Sequence, residues 1–181
     1  MHTYIAILRG INVGGHNAIP MAALKLMFEE LKLKDVITYI QSGNVVFKTT
    51  KVNDDRLLER NIEAAIQKKF DHEVPVIIRS LEEMETAIAA NSIIKQVGID
   101  TEKLHITFLD SIPLAVNLEQ IKKYDYPPDK FIIIQKEVFL YCPNGYGITK
   151  LSNTFFENKL KVKATTRNWK TVNKLVELAK G

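Results

Sequence analysis

The feature that most restricts the fold is the order in which two hydrophobic periods follow one another along the chain. Residues 3–9 alternate as a strand, with Tyr4, Ala6 and Leu8 on one side and Thr3, Ile5 and Ile7 on the other. A loop follows, and then a helix opened by Pro20, whose missing N–H costs nothing in a first helical turn. Leu24, Met27, Phe28 and Leu31 form the buried stripe of that helix. Strands near 35–41 and 44–49 join tightly at Ser42-Gly43, as in a hairpin. A second helix over about 55–70 buries Leu58, Ile62, Ala65 and Ile66. A strand near 74–79 closes the set, and Pro75 predicts that it starts or lies at a sheet edge. This strand-helix-strand-strand-helix-strand order is the ferredoxin-like arrangement.

A second pass repeats the order. Ser80 and Glu83 have the spacing of a capping box and predict a helix over about 81–90. A strand (104–109), a helix (about 114–123), two strands (130–135 and 137–142) and a helix (150–160) come next. The closing strand is expected to give way to a final helix. That helix has Asn168 as its N-cap and Trp169, Val172, Val176 and Ala179 on one face. The predicted class is α+β, in two halves of similar β-α-β-β-α order, the N-terminal one ferredoxin-like. The expected division is residues 1–80, a connecting helix and linker over 81–103, and residues 104–181. Phe131-Ile132-Ile133-Ile134 is apolar on both strand faces, which predicts cover on both. Such cover argues against an open nucleic-acid platform.

Composition narrows the function classes. A chain of 181 residues, 46% hydrophobic, can bury its own core without a disulfide or metal staple. The single cysteine, Cys142, excludes an internal disulfide framework and fits a reducing cytoplasm. No apolar run has membrane-spanning length, and the N-terminal stretch lacks the basic and small-residue features of a signal peptide. A cytoplasmic protein without a membrane partner is therefore expected. The net charge of +4 is uneven: residues 150–181 hold eight Lys/Arg against two Glu, a local +6, leaving −2 for residues 1–149. A basic block of this kind attracts phosphates, or forms the solvated faces of amphipathic helices.

Six of the eight glycines fall in three loops: Gly10, Gly14 and Gly15; Gly43; Gly145 and Gly147. In Arg9-Gly10-Ile11-Asn12-Val13-Gly14-Gly15-His16-Asn17, glycine freedom and successive N–H groups can form an anion-binding nest, or merely satisfy turn geometry. Gly10 to Gly15 has the spacing of a phosphate loop, but His16 and Asn17 stand where Lys and Ser/Thr are required. The Rossmann glycine spacing is absent as well. The hairpin Gln41-Ser42-Gly43-Asn44 is expected beside this loop, with amides and a hydroxyl suited to a polar ligand. The third loop leads to Lys150 and Ser152 at a helix start.

The inventory for catalysis is short. His16 is the one histidine in a loop of this kind and could act as acid or base near neutrality. His2 and His72 read as surface residues and His105 as a strand position. Cys142 reads as an inert strand-end thiol. No H-x-x-x-H or C-x-x-C spacing points to a metal. Ser42-Gly43-Asn44-Val45-Val46-Phe47 loosely matches an RNA-recognition strand, but Asn44 and Val46 stand where stacking aromatics belong. Nucleic acid is thus a weakly supported partner.

The segments ILRGINVGG, Ile19-Pro20-Met21, YIQSGNVVF at 39–47 and TTRNWKTVNKL at 165–175 resemble the family catalogued as domain of unknown function 1697. The resemblance runs nearly end to end. It implies a small bacterial-type cytoplasmic α+β protein with a ferredoxin-like N-terminal half, and no established activity. Members often carry Lys where this chain has His16. The motif residues it carries over are Arg9, Gly10, Asn12, Gly14, Gly15, Gln41, Ser42, Gly43, Asn44, Arg167, Asn168 and Trp169.

The functional expectation is a domain binding a small anionic or nucleotide-like ligand. Its site draws on Arg9, Gly10, Asn12, Gly14, Gly15, His16, Gln41, Ser42, Asn44, Lys150, Arg167 and Asn168. Two alternatives stand beside it. One is a small transferase or hydrolase acting on a phosphorylated substrate through His16 and Asn12. The other is a self-associating or partner-binding module. No cofactor is specified by the sequence.

Overall fold

Two antiparallel four-stranded sheets, each with its own pair of helices, organise the chain in a computed structural model that describes residues 1–50 and 54–181. The first is built from β1 (His2–Leu8), α1 (Met21–Glu30), β2 (Lys34–Tyr39), β3 (Asn44–Thr49), α2 (Asp55–Phe70) and β4 (Val76–Ser80), in the order β2-β3-β1-β4. After α3 (Leu81–Ala90) the second uses β5 (Leu104–Leu109), α4 (Ala115–Ile121), β6 (Lys130–Ile134), β7 (Glu137–Tyr141), α5 (Asn153–Leu160) and β8 (Ala164–Asn168). Its order, β6-β7-β5-β8, repeats the first position for position. The final helix is α6 (Trp169–Lys180). Both halves therefore carry the ferredoxin-like topology.

One element departs from the sequence reading. A closing strand, β8, is present where the final helix was expected to replace it, and it pairs with β5 from His105↔Asn168 to Leu109↔Ala164. Thr165 and Thr166 favour a strand. They sit among Lys161, Lys163 and Arg167, and the strong helical stripe that begins at Trp169 dominates the local pattern. The capping assignments hold. Ser80 N donates to Glu83 Oε2 (2.8 Å) while Glu83 N donates to Ser80 Oγ (3.1 Å), and Asn168 Oδ1 accepts from Thr171 N (2.8 Å).

The chain forms two compact units, residues 1–85 with 174–181, and residues 86–173. In the first, Tyr4, Ala6 and Leu8 of β1 and Val45 and Phe47 of β3 pack with Leu24, Met27 and Phe28 of α1 and Ile62 and Ile66 of α2. Phe28 and Phe47 meet at 5.6 Å between ring centroids. In the second, Leu109, Val138 and Leu140 pack with Ile121 of α4 and Phe156 and Leu160 of α5. Each fully buried Val, Leu, Ile, Phe or Met among them contributes roughly 1.5–3 kcal/mol of apolar burial. That makes these two cores the main source of stability in their units.

Sheet edges are treated unequally. On β4, the amides of Val76 and Ile78 donate to Glu63 Oε1 and Glu59 Oε1 of α2, both at 2.9 Å. On β8, Ala164 N donates to Glu157 Oε1 of α5 at 3.1 Å. The β2 edge is broken by a register shift between Lys34 and Ile37, with Asp35 at φ 49°. Each of these devices discourages an added strand. β6 has no such device among the described residues. The sequence predicted cover on both of its faces, yet none of its residues is buried: Phe131, Ile132 and Ile133 are half-buried and Ile134 is 37% exposed.

Candidate functional site

The loop after β1 is stitched together by its own polar side chains. Asn12, at φ 55°, donates through Nδ2 to Ile19 O and to Gln41 O, both at 2.9 Å, and accepts from Ile19 N at 2.8 Å. Asn17 Nδ2 donates to Gly10 O (3.1 Å), and Asn12 N donates to Asn17 O (3.1 Å). Between them, His16 N donates to Val13 O (2.9 Å) across Gly14 and Gly15, at φ 57° and 77°. Positive φ at both central residues is the requirement of a type I′ turn, so the loop is a miniature hairpin with a Gly-Gly tip. A Cβ at Gly15 would meet nothing within 4 Å, and one at Gly14 would meet only His16. The tip glycines answer to backbone conformation and not to close packing.

The hairpin turn between β2 and β3 comes beside this loop, as the sequence predicted. Leu8 N donates to Gly43 O at 2.8 Å. A Cβ on Gly43 (φ 83°) would lie 2.8 Å from Leu8 Cβ and from Ile11 Cδ1, so only glycine fits. Asn44 is fully buried and donates to Tyr39 O and Ser42 Oγ, both at 3.1 Å. Arg9, Gly10, Asn12, Gly14, Gly15, His16, Gln41, Ser42 and Asn44 are thus gathered into one region of the first unit. Asn12 and Asn44 hold its backbone, whereas Gly10, Gly14, Gly15, His16 and Gln41 are exposed. The backbone bonds that stitch the loop run from Asn12 N and His16 N, on either side of the Gly14-Gly15 tip.

Lys150, Arg167 and Asn168 belong to the second unit. Lys150 Nζ lies 5.2 Å from the centre of the Tyr126 ring. Asn168 caps α6. Arg167 is 9% exposed, its Nη1 donates to Thr166 O (2.9 Å), and burial draws its pKa down to about 10, so it stays protonated at neutrality. The first unit repeats the device: Arg79, 1% exposed, donates through Nη1 to Ile78 O at 2.9 Å. Each arginine precedes the capping residue of the helix that follows its strand.

The third glycine loop leads into a hydroxyl cluster. Tyr146 OH donates to Thr166 Oγ1 (3.0 Å), Thr166 Oγ1 donates to Asn153 Oδ1 (2.6 Å), and Thr107 Oγ1 lies 2.7 Å from Thr166 Oγ1. The Tyr146 ring stacks on His105 at 4.8 Å. Burial holds His105 below the ordinary histidine range, which keeps it neutral at pH 7. Cys142 is buried, and desolvation pushes its thiol up to about 11, unsuited to a nucleophile. Among the described residues no group of three or more His, Cys, Asp or Glu could hold a metal ion, and no helix is long and apolar enough to cross a membrane.

One feature of the second unit lay outside the sequence reading. A cavity of about 680 Å³ opens between α4 and β6, lined by Leu118, Ile121, Tyr124, Phe131 and Ile133 together with the charged Glu119, Lys122 and Asp125. Beyond Tyr124, Phe155 stands edge-on to Tyr124 and Tyr126, and Lys159 Nζ lies 4.4 Å from the Tyr124 ring centre. The lysines of the C-terminal basic block therefore have aromatic neighbours. The signal was the run Lys122-Lys123-Tyr124-Asp125-Tyr126, which lies far in sequence from Lys150 and Lys159.

Comparison with known proteins agrees with this architecture. The family described as protein of unknown function (DUF1697) matches residues 1–139. No curated protein matches. Among solved structures, the conserved bacterial protein SP0830 from Streptococcus pneumoniae is similar at a TM-score of 0.73 and 21% identity, over 98% of each chain. At that identity the likeness is one of fold.

Proposed function

Since the chain belongs to the DUF1697 family, whose description assigns no activity, we propose a function from the geometry: a domain that binds a small anionic ligand at the tip of the loop after β1. The observation that carries this reading is the Gly14-Gly15 tip, both residues at positive φ, on a loop that Asn12 and Asn17 already fix. Amides ordered before binding lose little entropy when an anion arrives. No Asp or Glu occurs from Arg9 to Phe28, so nothing within the segment repels an anion, and Arg9 and His16 flank the tip. Asn12 has both amide hydrogens committed to backbone carbonyls. This supports binding over a hydrolase or transferase that would need Asn12 for chemistry. Phosphate is the chemistry shared by the ligands considered, from orthophosphate to nucleotides.

The test is a thermal-melt titration with orthophosphate, pyrophosphate and nucleoside mono- and diphosphates. A ligand at about 100 times its dissociation constant adds ~2.7 kcal/mol, a shift of roughly 5–11 °C at this size. Gly14→Asp is the decisive variant. Asp-Gly suits the same turn, so the fold is kept while a carboxylate occupies the anion's place, and the shift is expected to vanish. A flat response across the panel, or an undiminished shift in Gly14→Asp, would overturn the assignment.

A further inference from the structure

We propose that β6 pairs edge to edge with β6 of a second copy of this chain, joining two sheets of the second-unit type into one. Three of the four sheet edges carry a device against strand addition: the Glu59 and Glu63 carboxylates on β4, the Glu157 carboxylate on β8 and the bulge on β2. β6 has none among the described residues, and it is apolar from Phe131 to Ile134. An open apolar edge left unguarded is a template for pairing.

The ladder identifies which groups are available. Cys142 N donates to Lys103 O and Leu109 N to Lys136 O, so the even-numbered positions from Lys136 to Cys142 direct their backbone groups at β5. Glu137, Phe139 and Tyr141 therefore bond to Ile134, Ile132 and Lys130 of β6. That leaves the N–H and C=O of Phe131 and Ile133 pointing away from β7. Their side chains line the cavity between α4 and β6. Backbone and side chains of the same two residues thus present one continuous docking face.

The face is complementary to itself. A two-fold axis at Ile132 sets Phe131 of each copy opposite Ile133 of the other, as two hydrogen-bonded pairs that use all four outward N–H groups and carbonyls. The same register brings the second copy's Phe131 and Ile133 to the cavity face, where Leu118, Ile121 and Tyr124 stand beside Glu119, Lys122 and Asp125. Lys130 falls opposite the other copy's Ile134, with no charge directly across from it, and acidic Asp129 comes beside the turn that carries basic Lys136. A second copy satisfies the edge, the cavity wall and the charges together.

The test is sedimentation equilibrium of the full chain from micromolar to millimolar concentration. A dimer is expected. Ile134→Lys, at an exposed position, sets an ammonium opposite the other copy's Lys130 on both sides of the axis, and the dissociation constant is expected to rise about tenfold. Adding Lys130→Glu makes both pairs opposite in sign and is expected to restore the wild-type value. Amide exchange gives a measurement independent of the variants. Protection at Phe131 and Ile133 should grow with protein concentration while that at Val138 stays fixed. A monomer at all concentrations would overturn the proposal. So would a dimer indifferent to Ile134→Lys, a double variant that fails to recover, or exchange at Phe131 and Ile133 independent of concentration.

Discussion

Replacing Asn12 by alanine tests whether the loop after β1 is held by a single side chain. With nitrogen and oxygen partners the amide makes three hydrogen bonds, two to carbonyls of Ile19 and Gln41 and one from the Ile19 amide. Net contributions of about 0.5–1.5 kcal/mol each, at the lower half for a half-buried group, give roughly 1.5–3 kcal/mol. Asn12 also sits at φ 55°, where alanine adds about 1 kcal/mol that asparagine largely avoids. The expected cost is roughly 2.5–4 kcal/mol in urea or thermal unfolding, a fall in Tm of roughly 5–16 °C. Asn12→Gly removes the same bonds without the backbone strain and should lie about 1 kcal/mol above Asn12→Ala. Amide exchange supplies a local readout, since the Ile19 N–H loses its acceptor in both variants and should exchange faster. A loss under about 0.5 kcal/mol with Ile19 still protected would refute the clamp and return Asn12 to the pool of groups free to meet a ligand.

Three further outcomes follow from the same geometry. Gly43→Ala forces a Cβ to within 2.8 Å of Leu8 Cβ at φ 83°, and should cost roughly 2–4 kcal/mol by denaturant melt; Gly145→Ala, strained in φ but sterically open, should cost less. Burial raises the Cys142 thiol from an ordinary 9.0 to about 11, so the folded chain keeps a proton that the unfolded chain loses. Stability is accordingly full below pH 9 and falls between pH 9 and about 11, a slope that Cys142→Ala should flatten in chemical melts at stepped pH. Asn168→Ala removes the acceptor for Thr171 N and should cost ~1 kcal/mol, while Asn168→Asp should keep most of it.

Much of this architecture was legible because it rests on periodicity and local chemistry. The helical stripe at Leu24, Met27 and Phe28, the Ser80–Glu83 capping box and the edge position announced by Pro75 are statements about neighbouring residues, and each appears in the fold. β8 was missed because a five-residue strand flanked by lysines and followed at once by a helix leaves little room for alternation to show. The glycine loops were harder for a different reason. Gly14-Gly15 satisfies a hairpin tip and an anion nest with the same letters, and only the bonds from Asn12 and Asn17 reveal how the tip is supported. The cavity beside β6 draws on α4 and a strand that follows it, and no local pattern announces a space between elements.

The division of the chain has a consequence for the order of its making. The first unit takes residues 1–85 together with 174–181, and Lys180 Nζ reaches Glu85 Oε1 at 2.8 Å within it. Residues 86–173 must be translated in between. At about 5–20 residues per second, their 88 residues occupy the ribosome for roughly 4–18 s. During that interval the earlier-born unit waits for its last helical turns, while the later-born unit is being completed. A protein whose first-made part is finished last holds that part incomplete while 88 of its 181 residues are added.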